Sequence, residues 1–315
     1  MNMASSSGRR LALIAGPTAS GKSQLALTLA QARRGTVINA DSAQVYADLR
    51  IISARPTREE EGRAPHRLYG YRDGAQACSA ADWATDSKQA IAEAHDAGRL
   101  PILVGGSGLY IRTLLDGIAP VPEIDPAIRK AVRSFGVLHN YAALEREDPA
   151  AALRLRPSDS TRVARALEVV RSTGRPLAEW QKKRSGGIGD QVELAPLILL
   201  PERGRLYARC DQRFETMMSD EGIEEVRSLL GRGLSPLLPV MRAIGVREIA
   251  AWLRGEQSRE EALAAGRTAT RQYAKRQYTW FSRQPPPDWP RFTEALEGEG
   301  LERAMAPSLR DIPPA

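Results

Sequence analysis

Gly16-Pro17-Thr18-Ala19-Ser20-Gly21-Lys22-Ser23 follows the apolar run Leu11-Ala12-Leu13-Ile14-Ala15 and precedes Gln24 to Arg34, in which Leu25, Leu29 and Ala32 recur at helical spacing. The octet matches G-x-x-x-x-G-K-[ST], and a strand, a loop and a helix in that order are the setting in which this pattern cradles phosphates. The helix N-terminus points its unpaired N–H groups and its dipole at the loop. Lys22 adds a point charge for the terminal phosphates, and the Ser23 hydroxyl is placed to ligate Mg²⁺. The stretch therefore predicts an α/β fold: a P-loop parallel sheet flanked by helices, with a diphosphate bound at one end of its strands.

The composition around this loop narrows the reading. With 315 residues the chain is long for one domain and short for three, so one domain carrying an insertion is the default. No apolar run reaches the roughly 18 residues that span a bilayer. The basic, Ser-rich Met1 to Arg10 is followed by apolar residues that end inside the phosphate loop, so cleavage there as a signal peptide would destroy the site, and the cytoplasm is the expected compartment. Cys78 and Cys210 lack C-x-x-C spacing and nearby His, implying neither a zinc site nor a disulfide framework. Lys and Arg number 45 against 38 Asp and Glu, a net charge of +7, which permits a polyanionic partner.

Further along, Thr36 to Ala40 reads as a second strand, with Asp41-Ser42-Ala43-Gln44 at its carboxyl end, where parallel sheets place ligand-binding groups. Asp41 can coordinate Mg²⁺ through water or accept a proton from a nucleophile attacking the bound diphosphate compound; the residues alone leave both open. Residues 49–83 read as loops and short helices around one short strand near Arg67 to Tyr71, and His66 is given a structural hydrogen bond. Ala80 to Ala97 is helical with Gly98 at C′. Pro101 to Val104 is a buried strand followed by Gly105-Gly106-Ser107-Gly108-Leu109-Tyr110. Nucleotide-hydrolysing P-loop proteins carry a metal-holding acid at this strand end. Here glycines stand instead, exposing backbone N–H groups and leaving room for another molecule, which argues against a motor or switch.

From Pro120 to Gln191 the composition turns to Arg- and Ala-rich helical segments broken by Asp-Pro and Arg-Pro pairs. The predicted organisation is a first core segment over 1–119, an all-helical insertion over 120–191, a second core segment over 192–292 and a loose tail over 293–315. The clearest helix of the insertion runs from Ser158-Asp159 to Thr173, burying Val163, Leu167 and Val170. After the strand Leu194 to Leu200, which closes the sheet in this reading, comes a helix with Arg205, Arg209 and Arg213 on one face. Like charges four residues apart repel by a few tenths of a kcal/mol per pair, so an anion between them explains the pattern better than solvent does. The last helical stretch, Arg267 to Arg283, holds basic residues and no acid, with Arg267, Arg271 and Lys275 four apart and Tyr273, Trp280 and Phe281 interleaved. That composition suits a nucleic-acid backbone.

Taken together, five motifs resemble the tRNA dimethylallyltransferase (isopentenyltransferase) family. They are the Gly16–Ser23 loop, Asp41-Ser42-x-Gln44-x-Tyr46, Gly105-Gly106-Ser107-Gly108-Leu109-Tyr110, Arg162-x-x-Arg165-Ala166-Leu167-Glu168-Val169, and Arg271-Gln272-Tyr273-Ala274-Lys275-Arg276-Gln277-x-Thr279-Trp280. They run in the family's order from about residue 11 to 283. The chain departs from its pattern at Thr161, Arg67, Val246 and Ile52 to Pro56.

The resemblance implies transfer of a dimethylallyl group from dimethylallyl diphosphate to the exocyclic N6 of the adenine 3′ of a tRNA anticodon, releasing diphosphate. It implies Mg²⁺ on Ser23, tRNA and dimethylallyl diphosphate as partners, a monomer, and an adenine flipped into a channel between core and insertion. It assigns Asp41, Lys22 and Ser23 to catalysis, Asp41 as proton acceptor. Diphosphate contacts fall to Gly16, Pro17, Thr18, Ala19, Ser20, Gly21, Lys22 and Ser23, with Arg209 and Arg213. The tRNA contacts it implies are Asp41, Ser42, Ala43, Gln44 and Ser107; Asp159, Ser160, Thr161, Arg162 and Val163; Arg242, Gly245 and Arg247; and Arg271 and Lys275. The competing expectation is a nucleotide or small-molecule kinase, which shares the loop and the Asp after strand two but leaves the basic helix and insertion unexplained.

Overall fold

The computed structural model describes residues 9–296 and 298–309. Six strands, β1 (Arg10–Ala15), β2 (Gly35–Asn39), β3 (His66–Arg67), β4 (Leu100–Gly105), β5 (Glu193–Leu199) and β6 (Arg291–Phe292), pair in parallel in the order β3-β2-β4-β1-β5-β6. β1 and β4 are near-continuous apolar runs and β2 is buried along its whole length, because a parallel sheet is covered on both faces. β1 lies in the middle, with Ile14 opposite Val104 on one side and Leu197 on the other. Leu25 and Leu29 of the helix Lys22–Ala32 pack against Ile14, Val37, Ile102 and Leu199. The loops after β1, β2 and β4 therefore gather at the carboxyl end of the sheet, where such folds bind ligands.

Two long helices complete this side. Arg203–Met217 buries Leu206, Cys210 and Phe214, and Arg259–Arg283 lies against it through Ala274. Their approach is close enough at Gly266 that an added Cβ would fall 1.8 Å from the Phe214 ring. The second helix begins eight residues earlier than the basic stretch suggests, at a Ser258–Glu261 capping box.

Two expectations are corrected at the carboxyl end. β5 does not close the sheet, because Arg291–Phe292 adds β6 beyond it. Nor is the segment from 293 loose throughout: the helix Glu299–Leu309 carries Leu301, Ala304 and Met305 on one face at helical spacing, and they pack into the core beside Leu296.

The chain divides into two compact units, residues 1–114 with 189–315, and Leu115–Ile188. The second is all-helical. Pro126–Ser134, Val137–Glu147 and Ser160–Thr173 bury Val132, Leu144, Val163 and Leu167 among themselves. Its ends are joined by reciprocal backbone hydrogen bonds between Ile118 and Ser185, each 3.1 Å, which sets its bounds a few residues before the composition change at 120 and before 191. Among the described residues no helix is long and apolar enough to cross a membrane.

Candidate active site

The phosphate loop is built by backbone strain and tight packing. Ala19 (φ 62°) and Gly21 (φ 91°) take left-handed conformations that turn the chain from β1 into the helix Lys22–Ala32. Lys22 is 8% exposed, its Nζ donating to Pro17 O at 3.2 Å. Burial pulls its pKa down to about 8, Asp41 opposing and Arg213 adding to the shift. Ser23 is exposed on a cleft of about 390 Å³, whose walls include Gly21, Lys22, Arg209 and Arg213.

Asp41 is held by its own neighbours. The Asn39 side chain accepts from Asp41 N–H (2.8 Å) and donates to Asp41 O (3.0 Å), while Asp41 Oδ1 accepts from Ala43 N–H (3.1 Å). Ser107 Oγ accepts from Ser42 N–H (2.9 Å) and donates to Ser42 Oγ (3.1 Å), tying the end of β4 to the end of β2. Asp41 and Thr18 line a second cavity of about 300 Å³, walled largely by Tyr46, Ile52, Tyr110 and Met217. Arg213 borders both spaces, its Nη2 donating to Ser53 O at 3.2 Å. Burial lowers its pKa and Asp41 counters that shift. Arg205, Arg209 and Arg213, which share a face by spacing, thus separate. Arg213 faces Asp41, Arg209 reaches the loop with Nη1 3.7 Å from where a Gly21 Cβ would lie, and Arg205 does not line the cleft.

The glycines after β4 have a different use from the one their sequence suggests. A Cβ on Gly105 would sit 2.1 Å from Ala40 O, one on Gly106 2.2 Å from Gln277 Nε2, and one on Gly108 2.5 Å from the Trp280 ring. What they admit is the chain itself: the backbone at the end of β2 at Gly105, and the helix Arg259–Arg283 at Gly106 and Gly108. Sequence reasoning overlooked Gln277, Tyr46 and Tyr110 as site residues. The signal for Gln277 was its lone polar position on the buried stripe Ala274–Gln277–Phe281.

The helix charges are likewise partly committed. Arg271 Nη1 donates to both carboxylate oxygens of Asp211 (2.7 and 2.8 Å), and Arg267 pairs with Glu215. The stretch has no acid of its own, but its neighbouring helix supplies two. Lys275 is exposed, and Arg276, stacked over Tyr273 at 5.7 Å, lines the cavity with Arg242 and Tyr273. Burial, then Asp41, pushes the Tyr273 phenol up. Gln44 turns its amide onto Ser53 O (3.1 Å) and Ala54 O (2.6 Å), supporting the cavity wall. Gly245 (φ 100°) starts the helix Val246–Leu253, and Arg247 is exposed on it.

In the helical unit, Asp159 caps the helix Ser160–Thr173 by accepting from Arg162 N–H (3.1 Å), leaving Ser160, Thr161 and Arg162 exposed at its first turn. Val163 is corrected: it is fully buried in that unit's core, so its side chain is not available to an RNA. His66 has the structural hydrogen bond foreseen for it, Nδ1 to Ala64 O at 2.8 Å.

The IPP transferase family model matches residues 44–284. The tRNA dimethylallyltransferase of Sphingopyxis alaskensis is 65% identical over 302 residues, covering 96% of this chain and 98% of the relative. That of Erythrobacter litoralis is 63% identical over 286 residues, covering 89% and 90%. Among solved structures, the full-length tRNA isopentenylpyrophosphate transferase of Bacillus halodurans aligns with a TM-score of 0.66 at 32% identity, 94% of each chain being covered. A eukaryotic dimethylallyltransferase acting on tRNA aligns with a TM-score of 0.78 at 28% identity, over 94% of this chain and 78% of that one.

Proposed function

The chain belongs to the IPP transferase family, and from that premise we propose that it transfers the dimethylallyl group of dimethylallyl diphosphate to the exocyclic N6 of the adenine 3′ of the anticodon in tRNA. The observation that carries the reading is the position of Asp41. It lines the cavity next to the phosphate cleft and interacts with Lys22 and Arg213, two of the three cations that border the cleft.

The chemistry asks for three things. The allylic carbon–oxygen bond must break, so charge grows on the departing diphosphate, and Lys22, Arg209 and Arg213 are placed to neutralise it. The N6 lone pair forms the new carbon–nitrogen bond, and the nitrogen, becoming cationic, gives its proton to Asp41. The apolar and aromatic walls formed by Ile52, Met217, Tyr46 and Tyr110 keep water from the allylic carbon.

Magnesium fits this site as a metal carried by the diphosphate. Among the described residues no three His, Cys, Asp or Glu side chains converge to hold an ion. Mg²⁺ binds readily through substrate phosphates, waters and one or two protein oxygens, and the exposed Ser23 hydroxyl on the cleft is such an oxygen. When bound it would supply further charge for the leaving group. We propose that the enzyme acts as a monomer in the cytoplasm, the compartment of its tRNA substrate.

The kinase reading is weakened at Gly105 and Gly106. A metal-holding acid at the end of β4 has no space, since even a Cβ would collide with Ala40 O or Gln277. Incubation with unmodified tRNA, dimethylallyl diphosphate and Mg²⁺ in ATP-free buffer should add one dimethylallyl mass to an adenosine. A need for ATP, or phosphorylation of a small acceptor with tRNA mass unchanged, sinks the proposal.

A further inference from the structure

Gln277 has no part in the transfer chemistry, yet its amide joins three segments of the site. Its Oε1 accepts from Thr18 N–H in the phosphate loop (2.7 Å), and its Nε2 donates to Gly106 O after β4 (2.8 Å). The side chain is 6% exposed. An amide offers a donor and an acceptor on one planar group, and its two partners fix which way round it sits. Close packing leaves no alternative, since Gly106 has no room for a Cβ beside Nε2. The same helix carries Tyr273 and Arg276 into the wall of the cavity and exposes Lys275.

We infer that Gln277 is a positioning residue that couples the helix Arg259–Arg283 to the phosphate loop, holding Thr18, and through it the bound diphosphate, in register with Asp41. The inference rests on the prenyl-transfer reading for its kinetic consequence but not for its structural one. The RNA-facing element and the diphosphate-binding element are thereby a single rigid piece, so an acceptor seated against the helix is aligned with the donor in the loop. Without the amide, Thr18 N–H and Gly106 O are both buried and unpaired.

Two variants separate positioning from general support. Gln277→Met keeps the length of the side chain and removes both hydrogen bonds. It should lower kcat by at least about tenfold while KM for tRNA stays within about twofold. Gln277→Glu, when ionised, keeps an acceptor for Thr18 N–H but sets an oxygen against Gly106 O. When protonated it again offers one donor and one acceptor. The ratio of its kcat to that of the unaltered enzyme should therefore rise as pH falls from about 8 to 6, burial favouring the neutral acid. Taking the ratio at each pH divides out the ionisations that both enzymes share, such as that of Lys22 at about 8.

Independently of activity, hydrogen exchange of a peptide spanning 16–22 should accelerate in Gln277→Met with exchange across 259–276 unchanged. Undiminished kcat, a loss confined to KM, a pH-independent ratio or unaltered exchange at 16–22 would each overturn the inference. Should Gln277→Met fail to fold, the pH ratio of Gln277→Glu decides. An unaltered enzyme that leaves tRNA unmodified sinks the prenyl-transfer reading, and the exchange measurement then decides the positioning role alone.

Discussion

The phosphate loop Gly16–Ser23 and the helix Arg259–Arg283 both announce themselves by charge and spacing, yet only the first behaves as its sequence suggests. In the loop, function follows from local backbone geometry: two left-handed residues and a helix start bring Lys22 and Ser23 to one cleft whatever surrounds them. On the helix, evenly spaced cations meet partners 52 and 60 residues away, Glu215 and Asp211, which no local pattern foretells. The lesson is that a motif closed within eight residues carries its chemistry with it, whereas a charged stripe carries only a potential that tertiary neighbours can absorb.

The largest test of that contrast lies at Asp41, whose position is set by the local Asn39 and Ala43 hydrogen bonds. Asp41→Ala should lower kcat on the order of 10²- to 10⁴-fold with tRNA binding retained, read by single-turnover transfer and a filter-binding assay. Turnover near that of the unaltered enzyme rejects the proton-acceptor role. Next in size, Lys22→Ala should cost on the order of 10²- to 10³-fold in kcat and little in tRNA affinity, because its charge counts most as the diphosphate leaves. An effect on tRNA binding alone would place Lys22 outside the chemistry.

The helix gives a smaller, two-sided result. Lys275, exposed and unpaired among the described residues, should contact a phosphate, so Lys275→Ala reduces the slope of log K against log salt by about 0.7 to 0.9. Arg271→Ala, its guanidinium already committed to Asp211, should leave that slope nearly unchanged and cost less than about 1 kcal/mol of stability, seen in urea unfolding. Equal slopes for the two variants would erase the distinction between free and committed cations.

Sequence alone showed the α/β class, the neighbourhoods of five of the six strands and the residues of the loop, because apolar runs and glycine turns are short-range signals. It did not show β6, two residues beside prolines with Arg291 among them, or the helix Glu299–Leu309, whose small apolar face has meaning only against the core it covers. The Ser258–Glu261 capping box was readable, but the acids following it masked the first turns of a helix otherwise known by its bases. Gly106 and Gly108 read as openings for a ligand because a missing side chain does not say what fills the space. Only the fold reveals Gln277 and Trp280 there.

The smallest effect concerns protons and returns to the loop. Lys22 titrates at about 8 in the folded enzyme against 10.5 for an ordinary lysine, because burial disfavours its charge. The unfolded chain thus holds more protons than the native one between those values, so stability rises with pH across that window, and the penalty is fully present below about 8. A bound diphosphate opposes burial and restores the charge. Binding must then take up a proton: about half a proton per site at pH 8, more toward pH 9, and almost none at pH 6, where Lys22 is already protonated. The measurement is the dependence of calorimetric binding enthalpy on the ionisation heat of the buffer, made with dimethylallyl diphosphate. The ligand has its own titration, so the comparison is with Lys22→Arg, which keeps a charge that does not titrate in this range. The difference in slope between the two proteins is the uptake at Lys22. If that difference is zero at pH 8 and 9, the lysine is charged before the diphosphate arrives, and the loop is a site prepared for its anion at no electrostatic cost to the empty enzyme.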